Sequence, residues 1–484
     1  MKRYLYPLSS FLLSLLLHSF GHASPKPNIL WIIAEDMSPD LSCYGNQAIH
    51  TPNLDTLAHR GTRFDNVHVT APACSPSRTA LATGVYQTSL GAHHMRYSEP
   101  LKPVLPSAVL PLPLLLQQQG YTTGNIKAAF GAGTGKDDWL FKCSKNPWNT
   151  HSWKTLTSKP PFFGQLHISE SHRPFKHVSS NVNSSKLNIP PYYPNHPVTQ
   201  HDWSGYLTEI LKTDTIVGKV LAELKQQNLL ESTIVVFLSD HGRPMLRAKN
   251  WLYDSGTHIP LIIHIPKAYQ HKAPHYQPAT TNRNLISSID LVAETLSWTN
   301  TPLPTWIQGR RFLDGSPPRS FLITAIDRVG NINTCSRAIR THDFKWIQHF
   351  KPAGNIRDSS TYYRRATHPL YHLLPPLAEK HQLTHPQSQL LTPLPIQELY
   401  DLNKDPNEMH NLATHPNYQS HAIALQNQLK QWMLQSKDLG QRHDPPAISQ
   451  YFQQYGYTQQ KKRAKQIQQL KAEVLRQIKS PPQN

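Results

Sequence analysis

Cysteine is scarce in this chain: four residues in 484, at positions 43, 74, 143 and 335. Cysteines this few and dispersed exclude a disulfide-built scaffold; one bridge fits the number, and the spacing fixes no pairing. Acids are also few, 30 Asp and Glu against 49 Lys and Arg, for a formal net charge of +19. Such a field attracts polyanions. The sequence has no nucleic-acid module and no aromatic platform for bases, so nucleic acid is not the expected partner. Tandem repeats are absent, and so is any long hydrophobic run. The stretch centred on residues 11–17 is short for a membrane span, with an uncleaved anchor as the alternative. It follows Lys2 and Arg3 and precedes Gly21-His22-Ala23, so residues 1–23 read as a secretory signal with a small-residue cleavage site. Its removal takes away two positive charges and no acid, from +19 to +17. The expected location is exported, periplasmic or extracellular, with no stable membrane span.

What the chain does have is the alternation of strands and helices that builds α/β folds, running from residue 27 to about 315, with amphipathic helices expected over 207–224 and 285–296. Asn28–Ala34 is an almost unbroken apolar run rich in β-formers, the pattern of a strand buried on both faces, and it ends in Glu35-Asp36. Thr233–Ser239 is a second such run, and it stops at Asp240-His241-Gly242, where the glycine permits a sharp turn. Ligands gather outside the carboxyl ends of strands in open α/β sheets, so the two acidic clusters are expected to meet in one crevice. Three carboxylates crowded together need a neutralising cation, and oxygen donors suit a hard ion such as calcium. The plainer alternative is a set of solvated loop acids.

Cys74-Ser75-Pro76-Ser77-Arg78, followed by Thr79-Ala80-Leu81-Ala82-Thr83-Gly84, has the Cys-x-Pro-x-Arg pattern that resembles the modification site of the type I sulfatases. Standing alone, it reads equally as a buried thiol before a Pro-initiated helix. The resemblance covers residues 27–411. It implies an alkaline-phosphatase-like α/β fold, with a large mixed sheet flanked by helices and a smaller C-terminal antiparallel sheet. It also implies that a maturation enzyme oxidises Cys74 to formylglycine, whose hydrate offers one hydroxyl for attack on sulfur and a second to expel the product. Glu35, Asp36, Asp240, His241 and the modified Cys74 become ligands of one divalent metal. Glu35 stands where Asp is more usual and His241 where Asn is frequent. Calcium is the expected ion, while the imidazole favours zinc or another transition metal.

On the same resemblance Arg78 holds the formylglycine hydrate. A lysine is expected downstream of Gly120-Tyr121-Thr122-Thr123; the usual spacing lands on Ala128, so the Gly-Lys pair of Gly135-Lys136-Asp137-Asp138 makes Lys136 the candidate, with Asp138 where the family often has histidine. Within Ser169-Glu170-Ser171-His172-Arg173-Pro174-Phe175, His172 is placed to contact sulfate or protonate the departing oxygen. Lys249, in Lys249-Asn250-Trp251-Leu252-Tyr253-Asp254-Ser255-Gly256, neutralises a sulfate oxygen. Gly91-Ala92-His93-His94-Met95-Arg96 and Asp240-His241-Gly242-Arg243-Pro244 look most like heparan-type N- or O-sulfatases and their bacterial relatives. That likeness makes a sulfated carbohydrate the expected substrate and makes His94, Arg96, Asp327 and Arg328 candidates for the sugar pocket, each reading equally as a packing or surface residue.

The expected organisation is a signal over 1–23, a catalytic α/β domain over 24–317 ending near Pro317-Pro318, a C-terminal subdomain over 318–440 with strands around 337–341 and 344–348, and a polar helical tail over 441–484. The segment Glu398-Leu399-Tyr400-Asp401-Leu402 resembles the family's carboxy-terminal motif. Two rival readings remain at this stage: a phosphonate or phosphodiester hydrolase of the same superfamily, and an inactive relative that binds polyanions.

Overall fold

A computed structural model describes residues 26–127, 133–175, 177–352 and 354–479. The expected signal segment and Ala128 lie outside the described residues. The strands in chain order are β1 (Asn28–Ala34), β2 (Thr62–Phe64), β3 (Val67–His68), β4 (Thr122–Lys127), β5 (Phe162–Ile168), β6 (Thr233–Ser239), β7 (Leu261–His264), β8 (Thr280–Asn282), β9 (Ile286–Ser287), β10 (Leu322–Val329), β11 (Ile332–Arg340), β12 (Phe344–His349) and β13 (Gln397–Asp401).

Seven strands form the main sheet in the order β4-β5-β1-β6-β7-β2-β8. β1 lies at its centre, parallel to both β5 and β6, whereas β7 runs antiparallel to β6 and β2, so the sheet is mixed. Every residue of β1 is buried, and its side chains alternate between two cores. Leu30 and Ile32 face the core completed by Tyr206, Leu207 and Ile210 of the long Pro197–Gln226 helix. Ile29, Trp31 and Ile33 face the core completed by Leu291, Val292 and Leu296 of the Asp290–Trp298 helix. Helices on both faces explain why β1 and β6 read as unbroken apolar runs rather than alternating ones.

β10 to β13 form a separate antiparallel sheet in chain order. Ile323, Ile339, Trp346 and Leu399 of this sheet pack on Ala422, Leu425 and Leu429 of the Gln419–Gln435 helix. The last helix, Pro446–Lys479, is not simply a solvated tail. Its Phe452 is buried among Val85, Leu90 and Tyr97, and its Val474 among Val198, Leu373 and Leu377. A few buried apolar residues anchor it along a polar length, so composition alone made it look free. None of the four cysteines is paired. Among the described residues no helix is long and apolar enough to cross a membrane.

Candidate active site

β1 and β6 end side by side, Ala34 opposite Ser239, and their next residues stay joined. The Asp240 amide donates to the Ala34 carbonyl at 3.1 Å, the Met37 amide to the His241 carbonyl at 3.0 Å, and the Asp36 amide to Asp240 Oδ1 at 3.0 Å. Asp36 takes a left-handed backbone (φ 50°), a conformation rare for a residue with a Cβ. Gly242 serves close approach rather than a positive φ: a Cβ there would lie 2.4 Å from the Ser255 carbonyl oxygen, and its amide donates to the Gly256 carbonyl at 2.9 Å.

The fully buried Cys74–Thr83 helix places Cys74, 1% exposed, in its first turn over these strand ends. Amide groups and dipole there favour negative charge. Ser77 Oγ donates to the Asp240 carbonyl at 2.5 Å and Arg78 Nε to Asp240 Oδ2 at 2.9 Å, tying the helix to β6. Arg78 Nη1 donates to the Lys136 carbonyl at 3.0 Å. Lys249 Nζ stands 2.7 Å from Asp36 Oδ2 and 3.4 Å from Cys74 Sγ.

Asp36, Cys74, Asp240 and His241 are all buried, and their donor atoms lie within 4.8 Å of one another. His241 Nδ1 faces the Gly242 carbonyl at 2.9 Å, which leaves Nε2 toward Cys74 Sγ (3.2 Å) and Asp36 Oδ1 (3.1 Å). Burial opposes protonation of this imidazole, but Asp240 and Asp36 beside it raise its pKa to about 10. The site thus demands positive charge at its centre, and its donor set fits a divalent cation.

Glu35, expected among the ligands, is outside that group. Its carboxylate contacts Lys136 and lies 3.5 Å from His167 Nε2 and 3.9 Å from Arg78 Nη2. Burial disfavours its charge, yet the His167 imidazole beside it and the cations Lys136 and Arg78 hold it well below the usual range. With the backbone turning at Asp36, the two consecutive acids serve different partners.

The site opens into a cavity of about 290 Å³ lined by Cys74, Asp36, Lys136, Lys249, His172 and Arg96 among others. His172 Nδ1 contacts the Arg173 carbonyl at 2.8 Å, which leaves Nε2 without a partner among the described residues, and its ring lies 6.0 Å from that of Tyr363. Asp138, standing where the family often has histidine, accepts from Ser75 Oγ at 2.7 Å and Arg96 Nη2 at 2.5 Å.

His94, Asp327 and Arg328, expected at the sugar pocket, do not line this cavity. His94 Nε2 and Arg328 Nη2 both hold Asp444, at 2.6 and 2.5 Å, and Asp327 pairs with buried Arg337 at 3.1 Å. The tip of the β10–β11 hairpin reaches the cavity instead, through Val329, Gly330 and Asn331. Sequence reading also missed His167, hidden inside a strand run, and Tyr363, Arg364, Lys462 and Arg463, which belong to no motif and reach the cavity only through the tertiary fold.

A sulfatase family model matches residues 27–301. The chain is 30% identical over 463 residues to an ulvan-active sulfatase of Formosa agariphila, covering 84% of this chain and 75% of that protein. It is 26% identical over 489 residues to the N-sulphoglucosamine sulphohydrolase of Homo sapiens, covering 88% and 93%. Among solved structures, one described as a 2-O GAG sulfatase aligns with a TM-score of 0.60 at 18% identity over 85% of this chain and 93% of that one. The phosphonate monoester hydrolase of Agrobacterium radiobacter aligns with a TM-score of 0.61 at 17% identity over 85% and 96%; at such identities the likeness is one of fold. With a family model spanning more than half its length and a near full-length relative, the chain belongs to the sulfatase family and is a sulfuric ester hydrolase.

Proposed function

We propose that the protein is an exported sulfatase that removes sulfate esters or sulfamates from a sulfated polysaccharide or its oligosaccharides, with formylglycine at position 74 and one divalent metal, calcium. The observation that carries this reading is the setting of Cys74, at the start of a buried helix and within 3.4 Å of both His241 Nε2 and Lys249 Nζ. In the same reading, residues 1–23 direct export, 24–317 form the catalytic domain, 318–440 the C-terminal subdomain and 441–484 the tail. Relatives named for ulvan and for N-sulphoglucosamine support a sulfated carbohydrate as substrate.

Asp36, Asp240, His241 and residue 74 would hold the divalent ion, which would supply Lewis-acid charge at the site, and a formylglycine hydrate at position 74 would supply the attacking hydroxyl. Lys249 and Lys136 place fixed positive charge at the sulfate oxygens. Arg78, locked on Asp240 and the Lys136 carbonyl, orients residue 74. His172, whose Nε2 has no partner among the described residues, hands a proton to the departing oxygen. The test is sulfate release by protein coexpressed with a formylglycine-generating enzyme. The panel comprises sulfated saccharides, a phosphonate monoester and a phosphodiester. Preferential turnover of the phosphonate would overturn the sulfate assignment, and turnover of nothing would favour an inactive polyanion binder.

A further inference from the structure

Seven Lys and Arg side chains line the cavity against one acid, Asp36. Four of the seven have carboxylate partners: Lys249 with Asp36, Lys136 with Glu35, Arg96 with Asp138, and Arg173 with Asp202 at 2.6 Å. Arg364, Lys462 and Arg463 have none among the described residues. Arg364 is only 2% exposed; its Nη2 donates to the Met245 carbonyl at 2.9 Å, while Nε and Nη1 have no partner. Burying a guanidinium without a counter-charge is costly, and the cost is removed when an anion arrives. Arg463, on the last helix, also leaves Nε unpartnered and holds its guanidinium 5.3 Å from the Tyr363 ring. That ring also lies 6.0 Å from the His172 ring, so Tyr363 bridges His172 and Arg463, whose Nη1 donates to Gln466 Oε1 at 2.8 Å.

We propose that Arg364, Arg463 and Lys462 form a second anion subsite, taking a carboxylate or second sulfate that the substrate carries near its scissile sulfate. This rests on the sulfatase reading and deepens it: the substrate is polyanionic, and the C-terminal helix reads its second charge. Buried Arg364 offers a planar fork suited to a carboxylate or sulfate edge. Lys462 and Arg463 close on the same group from the helix, with Tyr363 as a platform for the sugar face.

The experiment compares a doubly sulfated monosaccharide with its singly sulfated counterpart, on full-length matured protein, reading KM and kcat separately. A Lys462→Gln, Arg463→Gln variant, at one exposed and one half-buried position of the last helix, with folding checked by thermal melting, raises KM for the doubly charged sugar about tenfold more than for the singly charged one, the scale of one charge-assisted hydrogen bond, while the kcat ratio holds. Arg364→Gln does the same, its folding checked by thermal melting. Equal KM changes on both sugars, or none, overturn the subsite. No sulfate release from either sugar by wild-type protein overturns the sulfatase reading itself. Unsulfated glucuronate and a sulfate-bearing sugar inert to cleavage serve as competitors. Inhibition by the first marks a carboxylate subsite and by the second a sulfate subsite. Inhibition of wild type and double variant alike, or by neither compound, overturns the proposal.

Discussion

Arg78 Nε donates to Asp240 Oδ2 at 2.9 Å, with both side chains buried, and together with the Ser77 hydroxyl on the Asp240 carbonyl this pair joins the Cys-x-Pro-x-Arg helix to the end of β6. Arg78→Ala breaks a buried, hydrogen-bonded pair and leaves His241 as the cation beside the Asp240 carboxylate, a loss of up to about 3–5 kcal/mol. Arg78→Lys keeps the charge but not the fork that also reaches the Lys136 carbonyl, so it falls between. Chemical denaturation checks this; a wild-type midpoint for Arg78→Ala would show that the pair does not hold the site together.

Lys136 contacts Glu35 and lines the cavity, whereas Lys127 is exposed at the end of β4. Lys136→Ala lowers kcat/KM by about two decades, the scale of losing a preorganised charge. Lys127→Ala stays near wild type. The reverse pattern in steady-state sulfate release would move the catalytic lysine to the end of β4.

Removing the divalent ion lowers the melting temperature and abolishes sulfate release together, because the ion would bind the folded arrangement of Asp36, residue 74, Asp240 and His241 and not the unfolded chain. Single-ion replacement after stripping restores activity best with calcium. Better recovery with zinc would mean that His241 Nε2, rather than the carboxylates, sets the preference. Full activity of an Asp36→Ala, Asp240→Ala protein without metal would place catalysis elsewhere.

Glu294 gives a pH test away from the site. Burial pushes its carboxyl up from 4.5 to about 7, although the Phe312 and Leu313 amides both donate to Oε1. The folded state therefore keeps a proton that the unfolded chain has lost. This contribution is full below the unfolded value and disappears as pH rises through about 7. It amounts to on the order of 3 kcal/mol. Glu294→Gln keeps the acceptor and flattens the fall in stability between about pH 5 and about pH 8. A slope equal to wild type in denaturation at several pH values contradicts this.

Strands β1 and β6 were legible because burial on both faces leaves an unbroken apolar run, and the acids at their ends follow from sheet geometry. The helix expected over 207–224 is Pro197–Gln226: Pro197 starts it and the His196 side chain caps it through the Val198 amide, signals weaker than its later apolar stripe. The helix expected over 285–296 is Asp290–Trp298, because Ile286–Ser287 pairs with Val67–His68 as a strand. The partner of Glu35 was not legible, since Lys136 approaches it from a segment 101 residues away. His94, Asp327 and Arg328 are sugar-pocket candidates by family likeness, with packing as the alternative, and the ion pairs of His94 and Arg328 with Asp444 and of Asp327 with Arg337 hold them in packing roles. Arg364 and Arg463 matter through the carboxylate partners they lack among the described residues, which no motif records.

The most direct test titrates turnover against the state of residue 74. Preparations coexpressed with increasing amounts of maturation enzyme are digested, the peptide spanning residue 74 is weighed to give the fraction carrying aldehyde, and the same batches are assayed for release of sulfate from a sulfated saccharide. The account predicts a rate proportional to the aldehyde fraction, passing through zero, with Cys74→Ala folded and inactive. Full turnover in a preparation whose residue 74 is entirely cysteine would contradict it.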